Sequence, residues 1–280
     1  MKKIILTGAT RGLGLAAAKE LAQQKHHLIL CCRNMVKGEK VQNELKNIVP
    51  NSSIDLFEVD LSDLSSIERF ISEINDSFDS FDVLINNAGV FSERKEDTKD
   101  GYELTIGTNY IGTFALTYGL LPLLKNAPNS RIVTIVSRAG LYGRIRLTED
   151  LFTKPNKGFP PYANSKLAEI LFSIKLSEEL ASDNITVNAV HPGKVDTSIM
   201  VGDTFMMKLM NRLTKKKFMT PEEGAKVIID VATSDKYKGT TGKMIEREGI
   251  IEYNDKCLDV DLREKLHSFT ITELQKRLIE

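Results

Sequence analysis

Short apolar runs alternate along the chain with longer stretches in which apolar residues recur every three or four positions. KIILT (3–7), HLILCC (27–32), SIDLFEVD (53–60), FDVLINNAG (81–89), SRIVTIVS (130–137), ITVNAVHPG (185–193) and GKMIE (242–246) read as seven strands. Most are nearly continuous in apolar residues, the pattern of strands buried on both faces. Between them, 13–24, 36–48, a stretch opening at the cap-like Ser62-Asp63, about 101–125 and 160–180 read as helices. Thr220, Pro221 and Glu223 supply the cap, first position and capping box of a further helix. A polar helix near 259–278 closes the chain. No linker, repeat or low-complexity tract interrupts the alternation. Residues 1–280 therefore predict one α/β domain, doubly wound, with a parallel sheet of about seven strands and helices on both faces. Such sheets bind ligands beyond the C-terminal ends of their strands, at the switch point.

TGATRGLG (7–14) joins the first strand to the first helix. Gly8 permits a tight turn, Gly12 lets the backbone approach a pyrophosphate, and Gly14 lets helix and strand pack closely. The helix N-terminus adds free N–H groups and a positive dipole end, so a dinucleotide is the predicted ligand. About 20 residues on, where a carboxylate would hold the ribose 2′-OH of NAD, the chain has Cys32-Arg33-Asn34. A guanidinium there makes charge-assisted bonds to a 2′-phosphate, and Arg11 and Lys37 add positive charge. The expected cofactor is NADP(H).

Composition narrows the remaining classes. With 41% hydrophobic and 27% charged residues the chain has a globular make-up, and 38 Lys plus Arg balance 38 Asp plus Glu. No charge excess recommends nucleic acid or an anionic membrane. Three cysteines, two of them adjacent (Cys31, Cys32), make neither a disulfide framework nor a zinc spacing, and His26, His27 and His267 form no ligand pattern. No metal site is predicted. No apolar run approaches the ~20 residues needed to span a bilayer, so the expectation is a cytoplasmic protein with no integral membrane segment.

YANSK (162–166) puts a tyrosine and a lysine on one face of a predicted helix. With the glycine loop, NNAG (86–89) and HPG (191–193), in that order along the chain, it resembles the short-chain dehydrogenase/reductase family, a Rossmann-type fold. CCRNMVKGE (31–39), DGYELTIGTNYIGTF (100–114), SKLAEILF (165–172), TPEEGA (220–225) and GTTGK (239–243) are similar to its retinol dehydrogenase and protochlorophyllide reductase-like branch, whose members mostly use NADP(H). The resemblance implies Tyr162 as acid/base, Lys166 as its partner and a ribose ligand, Ser137 on the substrate oxygen, and Asn109 holding a water of the proton relay. It implies a cofactor envelope of Gly8, Thr10, Arg11, Gly12, Leu13 and Gly14; Arg33, Asn34 and Lys37; Asp60 and Leu61; Asn87, Ala88 and Gly89; Tyr162 and Lys166; and Pro192, Gly193, Val195 and Thr197. It also allows a homodimer through the helices at 101–125 and 160–180. Three departures stand out: Val136 replaces the first serine of the usual pair, Thr113 replaces a histidine, and the membrane segment common in retinoid members is not seen. Arg138 is expected to bring charge to the substrate mouth.

The chemistry asks for these residue types. Hydride transfer to a carbonyl also needs a proton, and a phenol of reference pKa ~10 yields it reluctantly. An ammonium about 4 Å away interacts by ~4 kcal/mol at an effective dielectric of about 20, equivalent to roughly three pKa units before desolvation opposes it. The methionine-rich SIMVGDTFMMKLMNRL (198–213), within a lid expected near 197–218, suggests a small apolar carbonyl or alcohol substrate. Two other readings remain open: an NAD-dependent alcohol dehydrogenase, and a non-catalytic NADPH-binding regulator.

Overall fold

The computed structural model describes residues 1–195, 200–201 and 218–279. Its main sheet has the order β10(Gly249–Ile251), β9(Met244–Glu246), β7(Thr186–Val190), β6(Arg131–Ile135), β4(Val83–Asn86), β1(Lys3–Thr7), β2(His27–Cys32), β3(Ile54–Glu58). All but β10 run parallel and correspond to the seven expected strands. The eighth, β10, returns antiparallel along β9. It is three residues long and its central Ile250 is 55% exposed, so no apolar run announces it. A separate pair joins β5(Phe91–Ser92) to β8(Met200–Val201).

Alternate strand residues feed the two faces. Ile4 and Leu6 pack with α1(Gly12–Gln23), α2(Met35–Ile48) and α7(Pro221–Thr233). Ile5 packs with α3(Leu64–Ser77), α5(Thr113–Lys125) and α6(Phe159–Glu179) on the other face. Each fully buried aliphatic side chain of this kind stabilises by about 1.5–3 kcal/mol, which holds the strand ends that carry the loops. The expected caps are present: Asp63 accepts from Ser66 N at 3.3 Å, and Thr220 and Glu223 bond reciprocally at 3.2 and 2.9 Å.

The helix expected over 101–125 is divided. A short α4(Leu104–Ile106) leads into a π-helical stretch, Gly107–Gly112, before α5. Here the backbone lies too close to its surroundings for a side chain: a Cβ on Gly112 would sit 2.1 Å from the Leu61 carbonyl oxygen. After β6 the chain makes a 3₁₀ turn, Arg138–Tyr142, capped by Ser137. At the end of the chain, α8(Asp255–Leu258) precedes α9(Val260–Ile279). The latter lies over α5 and α6, with Tyr118 bonded to His267 at 2.6 Å and Lys175 to Glu264 at 2.7 Å. The face named for pairing between chains thus carries the chain's own helix. Among the described residues no helix is long and apolar enough to cross a membrane.

Candidate active site

The chain leaves β1 in one direction to β2 and later returns on its other side to β4, so a crevice opens beyond Thr7 and Asn86. The glycine loop closes over it. Gly8 has φ +69°, and a Cβ there would stand 2.9 Å from Ala88 Cα. A Cβ on Gly14 would stand 2.2 Å from the Gly8 carbonyl oxygen. Helix α1 then begins at Gly12 with no side-chain cap, leaving its first-turn N–H groups available.

A cavity of about 870 Å³ extends from this loop along the ends of β2, β4, β6 and β7. Gly8, Thr10, Arg11, Gly12, Leu13, Gly14, Arg33, Asn34, Lys37, Asp60, Leu61, Asn87, Ala88, Gly89, Tyr162, Lys166, Pro192, Gly193 and Val195 all line it, as does Ser137. Thr197 lies outside the described residues, and of the expected lid only Met200–Val201 and Phe218 are described. Phe218 borders the cavity.

At one end stand the exposed cations Arg11, Arg33, Lys37 and Lys40. Arg33 Nε is 3.8 Å from Asp60 Oδ2. Lys40 was not anticipated, although its i,i+3 spacing from Lys37 on α2 would have revealed it. Asn34 caps α2 by accepting from Lys37 N at 2.9 Å. Asn87 borders the cavity but spends its amide on the Thr7 and Gly8 carbonyls, at 2.9 and 3.2 Å. Thr7 Oγ1 accepts from Asn87 N and Ala88 N, both at 3.0 Å, and so ties β1 to β4.

The other end is buried. Lys166 Nζ donates to the Ile135 carbonyl at 2.9 Å and lies 5.9 Å from the centre of the Tyr162 ring. The Ser137 hydroxyl oxygen accepts from Ala139 N at 3.2 Å, which leaves its hydrogen free. Asn109 is fully buried and absent from the cavity wall. Its Oδ1 accepts from Val90 N at 2.7 Å, and its Nδ2 donates to Val90 O and Ser165 Oγ at 2.9 and 3.0 Å. Both polar atoms of that side chain are thus engaged by protein partners, and it does not reach the cavity wall. Arg138 turns away from the mouth and pairs with the buried Glu246, its Nε bonding Oε1 at 2.6 Å. A carboxylate so buried requires a cation, and Arg138 supplies it.

Sequence reasoning also missed Glu169, one helical turn beyond Lys166. Its Oε2 is 2.8 Å from Lys166 Nζ, and both residues are buried. Burial pushes the Glu169 carboxyl up to about 7 against the pull of Lys166. Burial also works against the Lys166 ammonium, but the charge of Glu169, followed by Tyr162, carries its pKa above the ordinary lysine value. The ammonium therefore keeps its proton.

A family model described as short chain dehydrogenase matches residues 2–206. The chain belongs to the short-chain dehydrogenase family. Retinol dehydrogenase 14 of Mus musculus is 35% identical over 280 residues, covering 95% of this chain and 83% of the relative. Retinol dehydrogenase 11 of Homo sapiens is 37% identical over 234 residues, covering 84% and 73%. These relatives place this short-chain dehydrogenase in the retinol dehydrogenase-like branch. An uncharacterised protein from Mycobacterium paratuberculosis superposes with a TM-score of 0.78 at 31% identity, covering 97% of this chain and 92% of that one. L-sorbose reductase from Gluconobacter frateurii, solved with NADPH and L-sorbose, shares the fold with a TM-score of 0.70 at 22% identity, covering 89% and 95%. The protein is an oxidoreductase of alcohols or carbonyls that uses a nicotinamide cofactor.

Proposed function

We propose that this short-chain dehydrogenase is NADP(H)-dependent, acts on apolar carbonyls and alcohols, and uses Tyr162 as its acid/base. The observation that carries the reading is that Ser137, Tyr162 and Lys166 border the same cavity as the glycine loop. The cavity fits a dinucleotide, because Gly8 and Gly14 let the loop, the β4 end and α1 pack closer than a Cβ allows and so bring the uncapped start of α1 to the cavity. Gly8, Gly12 and the first turn of α1 hold the pyrophosphate. Arg33, with Arg11, Lys37 and Lys40 nearby, favours a 2′-phosphate over a bare ribose hydroxyl. The names of the relatives, retinol dehydrogenases, agree with an apolar alcohol.

A bound nicotinamide supplies or accepts the hydride. The protein handles the proton. Ser137 donates its free hydroxyl hydrogen to the substrate oxygen and fixes its position. The Tyr162 hydroxyl, without a hydrogen-bond partner among the described residues, gives that oxygen a proton in reduction and takes one in oxidation. Lys166, held charged, stabilises the phenolate form and binds the nicotinamide ribose. Asn109 acts through its side-chain bonds, tying the strand end at Val90 to α6 through Ser165.

The test is NADPH oxidation by the purified protein over a panel of apolar aldehydes and ketones, beside Tyr162→Phe. Turnover with NADPH preferred over NADH, lost in the variant, is the expected result. Tighter binding of NADH would overturn the cofactor assignment. Turnover that survives in Tyr162→Phe would overturn the acid/base assignment.

A further inference from the structure

We propose that Glu169 is a positioning residue that holds the Lys166 ammonium in the floor of the site and offsets its charge at Tyr162. The proposal rests on the acid/base reading above. Along α6 the lysine stands between two partners, Tyr162 four residues before it and Glu169 three residues after it. Glu169 Oε1 accepts from the ammonium at 3.2 Å, Oε2 stands 2.8 Å from it in ion-pair contact, and the Ile135 carbonyl accepts a further N–H at 2.9 Å. The ammonium is thus fixed from the protein side, with its remaining face toward Tyr162 and the cavity.

Stability alone does not account for this carboxylate. A buried ion pair recovers its desolvation cost only in part, and an apolar side chain of similar volume is often as stable. What the carboxylate changes is the field at the phenol. A lone ammonium acts on Tyr162 as a full positive charge, whereas an ammonium backed by a carboxylate acts as a weaker dipole. Among the described residues, no ionisable group from β6, the π-helical stretch or α5 contributes to the setting of Glu169, and the charge it meets is that of Lys166. Lys166 in turn meets Glu169 and Tyr162 among the described residues. Since Glu169 changes charge near neutrality, the offset operates above about pH 7 and is lifted below it.

The experiment compares pH profiles of alcohol oxidation by the holoenzyme for wild type, Glu169→Gln, Glu169→Asp and Tyr162→Phe. Removing the carboxylate should move the rising limb toward acid by on the order of one pH unit. Glu169→Asp, which keeps the charge one methylene further away, should restore most of the original position. A second readout needs no turnover. In the cofactor-free protein, infrared difference spectra should show a buried carboxyl losing its proton near neutrality, absent from Glu169→Gln. A Glu169→Gln profile that overlies wild type, while Tyr162→Phe is inactive, overturns the role of Glu169 and leaves the acid/base reading intact. Turnover in Tyr162→Phe sinks that reading and this proposal together. If Glu169→Gln fails to fold, Glu169→Met, of similar volume and without charge, decides: a limb displaced toward acid supports the proposal and an unmoved limb overturns it.

Discussion

The two ends of the cavity hold cations in opposite ways. Arg33 is 70% exposed in its side chain, and its nearest carboxylate, Asp60, stands 3.8 Å away. Lys166 is 5% exposed, with a carboxylate at 2.8 Å and a carbonyl at 2.9 Å. An exposed guanidinium is screened by salt and can exchange partners, so its effect on a ligand is graded. A buried ammonium cannot lose its partner without leaving an uncompensated charge. On the proposed reading, selectivity for the cofactor is therefore adjustable at one end, while the chemistry at the other depends on an arrangement that tolerates little change.

The largest expected effect follows from breaking the buried pair. Lys166→Met removes the cation that holds the Glu169 carboxyl down, so that carboxyl takes a proton and is left short of a partner; the protein should lose about 1–3 kcal/mol, with turnover at least ~100-fold down. Adding Glu169→Gln should recover most of the melting temperature but none of the turnover. Recovery of both would show that the lysine serves packing alone. Asn109→Ala comes next. It leaves the half-buried Val90 N–H and carbonyl without their partners, at about 1 kcal/mol for each lost bond. Thermal unfolding and kcat should fall together, because the same amide ties α6 to the strand end. At the exposed end the effect is smaller. Arg33→Ala should weaken NADPH binding about tenfold, roughly 1.4 kcal/mol, and the difference should shrink at high salt. NADH binding should hardly change; an equal loss for both cofactors would detach Arg33 from the 2′-phosphate.

The same contrast explains what the sequence made legible. Features set by the backbone could be read in advance: Gly8 and Gly14 occupy positions where a Cβ would collide, and their loop lies where strand–turn–helix spacing puts it. Seven strands followed from apolar runs, but β10 did not, because Ile250 faces solvent. Side-chain partners were harder to read. Arg138 and Glu246 are 108 residues apart, so nothing local hinted that the guanidinium would turn from the mouth. Asn109 was expected to hold a water, and nothing in the sequence announced its bonds to Val90 and Ser165. Glu169 sits in a helix buried on almost every face, so the 3.6-residue period could not single out its direction.

The smallest effect concerns neither end of the cavity but the helix behind it. His267 of α9 is 11% exposed in its side chain, bonded to Tyr118 at 2.6 Å and 3.5 Å from Glu179. Burial lowers its pKa below the ordinary 6.5, an effect that Glu179 only partly opposes, and burial lowers that of His191 as well. Because the folded value lies below the unfolded one, the unfolded chain takes the proton first. The stabilisation is complete above about pH 6.5 and is lost as the pH falls through the depressed folded values. Mild acid should therefore loosen α9, and amide exchange along 260–275 should rise while that of β1 and β4 stays low. His267→Gln, neutral at every pH, should remove most of this acid sensitivity. Light scattering adds a sharper measure, since a homodimer through α5 and α6 requires α9 to leave that face. If dimer is present at pH 7.5 with α9 still protected from exchange, pairing uses another surface.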